Sequence, residues 1–391
     1  MTSRDPVIRG WCPGALRPMM SGDGLVVRIR PPLGRLVPAQ AAGLALLARQ
    51  YGNGRIDLSS RANLQLRGVT AERHPALIDG LRALDLVDDS AGAEARRNIV
   101  LTPFRTEADD SARIAATLAK ALTAPDAPAL PGKFGFAVDC GPAPVLTATP
   151  ADIRLERDSA GGLLCRPDGA ATGAPVTVKT AARTALALAR WFLDSGGAPE
   201  GRGRMARHLA SGFAPPPGFS EIRAADGREP PKPGPCAQGM LVALAFGQMQ
   251  AETLAALAEA GPLRLTPWRM LLIEGAARAA LPGLPALIAD ATDPCLRVVA
   301  CTGAPGCPQA LSPTRPLARA LAPHLPEGML LHVSGCAKGC AHPAAAPLTL
   351  VATGPDRFDL IRQGRAGDPP DRTGLSADAL TFPPDLLTEG P

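Results

Sequence analysis

Four cysteines stand apart by their spacing. Cys301 and Cys307 bracket five residues, Cys336 and Cys340 bracket three, and 28 residues separate the pairs. Thiolate is the form of cysteine that binds metal, and four thiolates brought by two short loops can enclose a 4Fe-4S cubane. Gly303, Pro305, Gly306, Gly335 and Gly339 permit tight turns that aim sulfur and backbone N–H groups at one point. Between Leu296 and Leu350 the sole acid is Glu327, against Arg297, Arg315, Arg319 and Lys338, so the surroundings suit an anionic thiolate set. Structural zinc is the other common use of four cysteines, but zinc knuckles favour gaps of roughly two to four residues in both pairs. The remaining Cys12, Cys140, Cys165, Cys236 and Cys295 share no such spacing and read as small hydrophobes, buried or half-buried.

The segments that must carry these loops read as strands. LRVVA leads into Cys301 and MLLHVSG into Cys336, which puts both pairs at strand ends. Upstream, LVVRIRP, PAQAAGLALLARQYG and GRIDLSSRANLQLRG predict strand, helix and strand from Leu25 onward. The same order returns from Met240 in MLVALAFG, QAETLAALAEAG and PLRLTPWRMLLIEG. Gly52 and Gly261 end the two helices, and Arg61 and Arg269 fall near the centre of the strand that follows each, the pattern of a degenerate internal duplication. Residues 89 to 228 carry the strand-like RRNIVLTP and GKFGFAVDCG and a helix from Ala181 to Asp194. The stretch APPPGFSEIRAADGREPPKPGP then breaks the chain into halves, and the polar, Pro-rich tail from Arg365 is expected to be loosely packed.

Bulk composition narrows the class. At 391 residues the chain is long enough for two to four packed units. Its residues are 46% hydrophobic but only 3% aromatic, so small and branched aliphatics must fill the cores. A net charge of +5 without basic runs gives no nucleic-acid stripe, and no apolar stretch approaches a bilayer span or a signal core. The nine cysteines, an odd number, point to reduced thiols in a cytoplasmic protein and away from a disulfide framework.

Thiol loops, repeat and basic strands together resemble the sulfite and nitrite reductases, which pair sirohaem with a 4Fe-4S cluster, over roughly residues 10 to 365. LSSRANLQLRG (58–68), RRNIV (96–100) and LPGKFGFAVDCG (130–141) are similar to that superfamily's Arg-containing strand, Arg-Asn segment and Lys-Phe-Lys segment. The resemblance implies an α+β fold with two ferredoxin-like half-domains (10–85 and 235–285), two larger α+β domains (89–228 and 290–365, the latter with the thiols) and a tail at 366–391. It further implies that Arg61, Arg97 and Lys133 grip tetrapyrrole carboxylates, with Arg28 and Arg30 adding to the cradle. Two departures stand out: Gly135 replaces the second lysine of the Lys-Phe-Lys segment, and Ala337-Lys338 replaces Pro-Asn after the third cysteine.

Within the superfamily, SGCAKGCAHP and RGWCPGALRPMMSGDGLVVRIRP are similar to the precorrin-3B synthases. That likeness implies hydroxylation and lactone formation on precorrin-3A with dioxygen, by a 4Fe-4S cluster and a mononuclear non-haem iron. The alternatives are a reductase that keeps sirohaem, and a non-catalytic tetrapyrrole-binding or zinc-stabilised protein. His74, His208, His324, His332 and His342 are the only histidines; His342 follows Cys340 closely, while His332 reads as a packed residue with a backbone partner. GRGRMA (201–206) formally fits Gly-x-Gly-x-x-Ala, but no strand precedes it, so it reads as a basic helix start. Electrons are therefore expected from an external donor, a reduced nicotinamide acting through a reductase or a ferredoxin.

Overall fold

The two sequence repeats fold alike. In this computed structural model, which describes residues 12–106, 109–281, 283 and 287–381, the strand Gly24–Ile29 runs through a tight turn at Pro32–Gly34 into the helix Pro38–Tyr51. The second unit repeats this with Gly239–Leu244, Ala245–Gly247 and the helix Ala251–Ala260. Each tight turn holds one left-handed non-glycine residue, Leu33 (φ 53°) and Phe246 (φ 57°).

After each helix the sequence predicts one strand, and the structure has a hairpin instead. Arg55–Leu58 pairs with Leu64–Val69, and Leu263–Leu265 with Met270–Glu274. A hydroxyl closes each turn. Ser59 Oγ accepts from the N–H groups of Arg61 and Asn63 at 3.3 Å, and Thr266 Oγ1 accepts from Trp268 at 3.2 Å and Met270 at 3.3 Å. Ala62 (φ 52°) and Arg269 (φ 61°) then take the left-handed position. Arg61 thus corresponds to Trp268, and Arg269 to Ala62; both arginines sit on turns, not at strand centres.

Each unit completes the other's sheet. Arg35–Leu36 pairs with Leu263–Leu265 of the second unit, while Gln248–Gln250 pairs with Arg55–Leu58 of the first. The two helices pack face to face over a shared core that includes Leu44, Leu254 and Leu257, all fully buried. Burying each such leucine contributes about 1.5–3 kcal/mol, so neither unit keeps its core without its twin.

The larger domains are duplicated as well. In the first, Ile99–Leu101, Phe136–Asp139 and Ile153–Arg157 run parallel, and Leu163–Pro167 and Thr172–Val176 continue antiparallel. In the second, Val298–Ala300, Leu331–Ser334 and Ala346–Gly354 are parallel, with Arg357–Gly364 and Arg372–Ser376 antiparallel. A helix crosses between the first two strands in each, Ser111–Thr123 and Arg315–Leu321. Both escape the sequence reading, the first although Ile114, Ala115, Leu118 and Leu122 give it a buried stripe.

The tail also differs from expectation. Residues 366–381 contain an edge strand and the helix Ala377–Thr381, whose Leu380 is fully buried. Residues 367–374 are exposed throughout, and the departure from the expectation is confined to the edge strand Arg372–Ser376 and the helix that follows it. Residues 382–391, like Arg9, Gly10 and Trp11 of the amino-terminal motif, lie outside the described residues. Among the described residues no helix is long and apolar enough to cross a membrane.

Candidate functional site

Both thiol pairs lie just beyond the carboxyl ends of adjacent parallel strands, Val298–Ala300 and Leu331–Ser334, where open α/β sheets place their ligands. The loops fold toward one another. Cys340 Sγ lies within hydrogen-bond reach of Cys301 Sγ, which lowers the Cys301 thiol against the opposing effect of burial, and the Gly335 N–H donates to Cys301 Sγ at 3.2 Å. Burial raises Cys336, which also feels Cys307 and Cys301; Cys340 rises as the proton-holding partner of Cys301. Gly303 (φ 68°) and Gly339 (φ 60°) supply left-handed turns, and a Cβ at Gly335 would stand 3.5 Å from Cys301 Sγ. Among the described residues no three His, Cys, Asp or Glu side chains close on a single ion. Four thiols, with N–H groups of Gly303 and Gly335 turned to Cys301, suit a cubane in number and chemistry.

The half-domains wrap this centre in arginine. Arg67 donates to the Gly306 carbonyl at 2.8 Å and is itself held by Asp23 and Asp57. Arg315 reaches Asp57 as well, at 3.3 Å. From the other hairpin turn Arg269 donates to the Ala341 carbonyl at 3.2 Å, close enough to Cys340 to feel its charge. His332 meets His342 edge to face with ring centroids 5.7 Å apart. His332 is fully buried and neither ring nitrogen has a partner among the described residues, contrary to the backbone partner expected for it. Burial first, then His342 and Arg269, push its pKa down to about 4.

The expected cradle divides in two. Arg30 forms a buried pair with Glu94 at 2.8 Å, and Arg97 pairs with Asp88 and donates to the Arg30 carbonyl, so both are neutralised internally. Arg28, Arg61 and Lys133 instead gather around Cys12, whose thiol is lowered although burial alone would raise it: Arg28, Arg61 and Lys133 outweigh that cost. Only Arg28 lies within a strand. Arg61 and Lys133 are on turns, joined by an Arg61 Nη2 to Lys133 carbonyl bond of 2.9 Å. A Cβ at Gly135 would lie 3.2 Å from Arg61 Nη1, so the absence of a side chain there admits the Arg61 guanidinium. Cys12, Arg67 and Arg204 were not singled out by sequence. Cys12 carried one signal, the turn-forming Pro13-Gly14 beside it.

One hairpin connects the two clusters. Asp57, which holds Arg67 and Arg315 at the thiol loops, and Arg61 are four residues apart, about 13 Å at most along a strand. A flat polyanion with an anionic metal centre on one side and cations on the other would match this layout.

Comparison with known proteins agrees with the architecture. The nitrite/sulfite reductase ferredoxin-like half domain matches residues 17–84. The solved structure of the Mycobacterium tuberculosis NirA protein superposes with a TM-score of 0.59, covering 91% of this chain and 79% of that one at 16% identity. A ferredoxin–nitrite reductase of Synechococcus elongatus is 33% identical over 32% of this chain and 26% of its own length. Fold and site define a member of the sulfite/nitrite reductase superfamily. A precorrin-3B synthase of Sinorhizobium sp. is 31% identical over 93% of this chain and 84% of its own. The chain belongs to the precorrin-3B synthase family of enzymes.

Proposed function

We propose that the chain converts precorrin-3A to precorrin-3B in aerobic cobalamin biosynthesis. One atom of dioxygen enters the macrocycle as a hydroxyl and a ring A acetate closes to a lactone. The second atom leaves as water, with two electrons and two protons from an external donor. The observation that carries this reading is the hairpin that ties four convergent thiols to a cluster of cations. Cys301, Cys307, Cys336 and Cys340 would hold a 4Fe-4S cluster, which passes electrons singly. Arg61, Lys133 and Arg28 would bind and orient substrate carboxylates, while Arg30 and Arg97 hold the cradle's shape through Glu94 and Asp88.

The mononuclear iron implied by the resemblance fits less well. His332 and His342 bring two imidazoles together, but no third His, Cys, Asp or Glu joins them among the described residues. No step is derived through such an iron. The rival is a reductase that keeps sirohaem; Gly135 argues against it, since that site loses a cation needed to bind and protonate a small oxyanion.

Anaerobic iron and sulfide analysis with an optical spectrum, followed by dioxygen uptake with precorrin-3A, tests the proposal. Iron and sulfide without haem-like bands, and product heavier by one oxygen atom, are expected. Sirohaem bands with sulfite or nitrite reduction would overturn it, as would zinc in place of iron.

A further inference from the structure

The sequence GRGRMARHL, left over by the function above, builds a second basic site. A cleft of about 660 Å³ opens between the turn holding Lys133 and residues 196–213, lined by Lys133, Arg202, Arg204, Arg207, His208 and Phe213 among others. The helix Met205–Ala210 forms one wall and is firmly anchored. Met205 is fully buried, its N–H donates to Asp152 at 2.9 Å, and the buried His208 bonds Ser195 at 2.7 Å. Arg204, the extended residue just before the helix, also donates to that Asp152 oxygen at 2.8 Å, while Arg207 is exposed on the helix itself.

The charges in the cleft are unequally committed. Arg204 is spoken for by Asp152 at 2.8 Å. Arg202 and Arg207 are exposed, and among the described residues their guanidinium groups meet no carboxylate or hydrogen-bond acceptor, their hydrogen bonds being those of the backbone with Pro199 and Ser211. Glu200 is the single acid of the lining. Phe213 stacks on His208 at 4.1 Å yet stays 45% exposed, so an apolar ring faces the same space as the free cations. Lys133 belongs to both this cleft and the group around Cys12, which makes the two spaces adjoin.

We propose that this cleft is a carboxylate subsite, where Arg202 and Arg207 grip peripheral acid side chains of the substrate and Phe213 covers the hydrocarbon beside them. This rests on the reading of the substrate as a polycarboxylated tetrapyrrole and extends the cradle beyond Lys133. A guanidinium offers the planar, two-pronged geometry that a carboxylate matches.

The test uses the full chain with its cluster and uroporphyrin I, an eight-carboxylate tetrapyrrole, as the fluorescent probe. Loss of two charge-assisted contacts in the Arg202→Ser/Arg207→Ser double variant is expected to weaken binding about ten- to a hundredfold and to flatten its salt dependence. Circular dichroism and the cluster spectrum should be unchanged. Arg183→Ser/Arg190→Ser, which removes two exposed arginines outside the cleft, controls for net charge and should bind as the parent does. Parent-like affinity in the double variant overturns the subsite while leaving the tetrapyrrole reading intact. Displacement of the probe by 2′,5′-ADP would reassign the cleft to a nucleotide phosphate. An unaltered chain that binds no uroporphyrin at all sinks the reading and the subsite together.

Discussion

Glu94 does several jobs with one carboxylate. It pairs with Arg30 and accepts from the N–H groups of Ala15 (2.5 Å) and Leu16 (3.1 Å), which pins the segment that carries Cys12. Glu94→Ala strands a buried guanidinium, so chemical denaturation should show a loss of about 3–5 kcal/mol. Cys12 offers a second measurement. Because Arg28, Arg61 and Lys133 favour its thiolate, its alkylation, followed on the Cys12 peptide, should begin below the ordinary thiol range. Lys133→Gln should move that profile upward. At this scale the thiol pairs were legible because their spacing is short, whereas Cys12 was not: its three cations come from three distant segments. The same holds for Arg97, a cation by sequence whose charge is consumed by Asp88.

Among the elements, the exchanged strand Arg35–Leu36 is held by charge as well as by its ladder. Arg35 binds both oxygens of Glu274, at 2.8 and 2.7 Å, and Arg264 reaches the same carboxylate. The Arg35 hydrogen bonds, helped by Arg264 and opposed by burial, hold Glu274 down to about 2 from an ordinary 4.5. A depressed carboxylate stabilises the fold above its unfolded value and loses that contribution as pH falls. Stability should therefore drop between about pH 4.5 and 2, and Glu274→Gln should remove about 1–3 kcal/mol at neutral pH while flattening this acid limb. Thermal melts across that range would check both. The helices Pro38–Tyr51, Ala181–Asp194 and Ala251–Ala260 were readable from period; a two-residue strand has none, and a Ser- or Thr-closed turn hides inside an alternating run.

For the molecule as a whole, the Pro/Gly-rich break marks a change of unit but not an independent boundary. Residues 226–230 are exposed and outside regular structure, so a protease site placed there should be cut readily. The two fragments should still elute together, since each sheet takes a strand from the other half. Separate elution of folded fragments would contradict the exchange. The duplication was visible in the residues of the half-domains; the paired larger domains were expected from the family resemblance and not from the residues, because their matching strands differ in residue type and agree only in pairing order.

Reciprocal strand exchange also limits what either half could be alone. A lone half would expose an unfilled sheet edge and one bare helix face, so a chain of half this length would cover both by forming a symmetric pair of identical subunits. Such a pair must carry every side chain twice. A single chain is under no such obligation, and this one keeps its four close-spaced cysteines in one half and the cluster of Arg28, Arg61 and Lys133 in the other, an asymmetry a pair of identical halves could not hold.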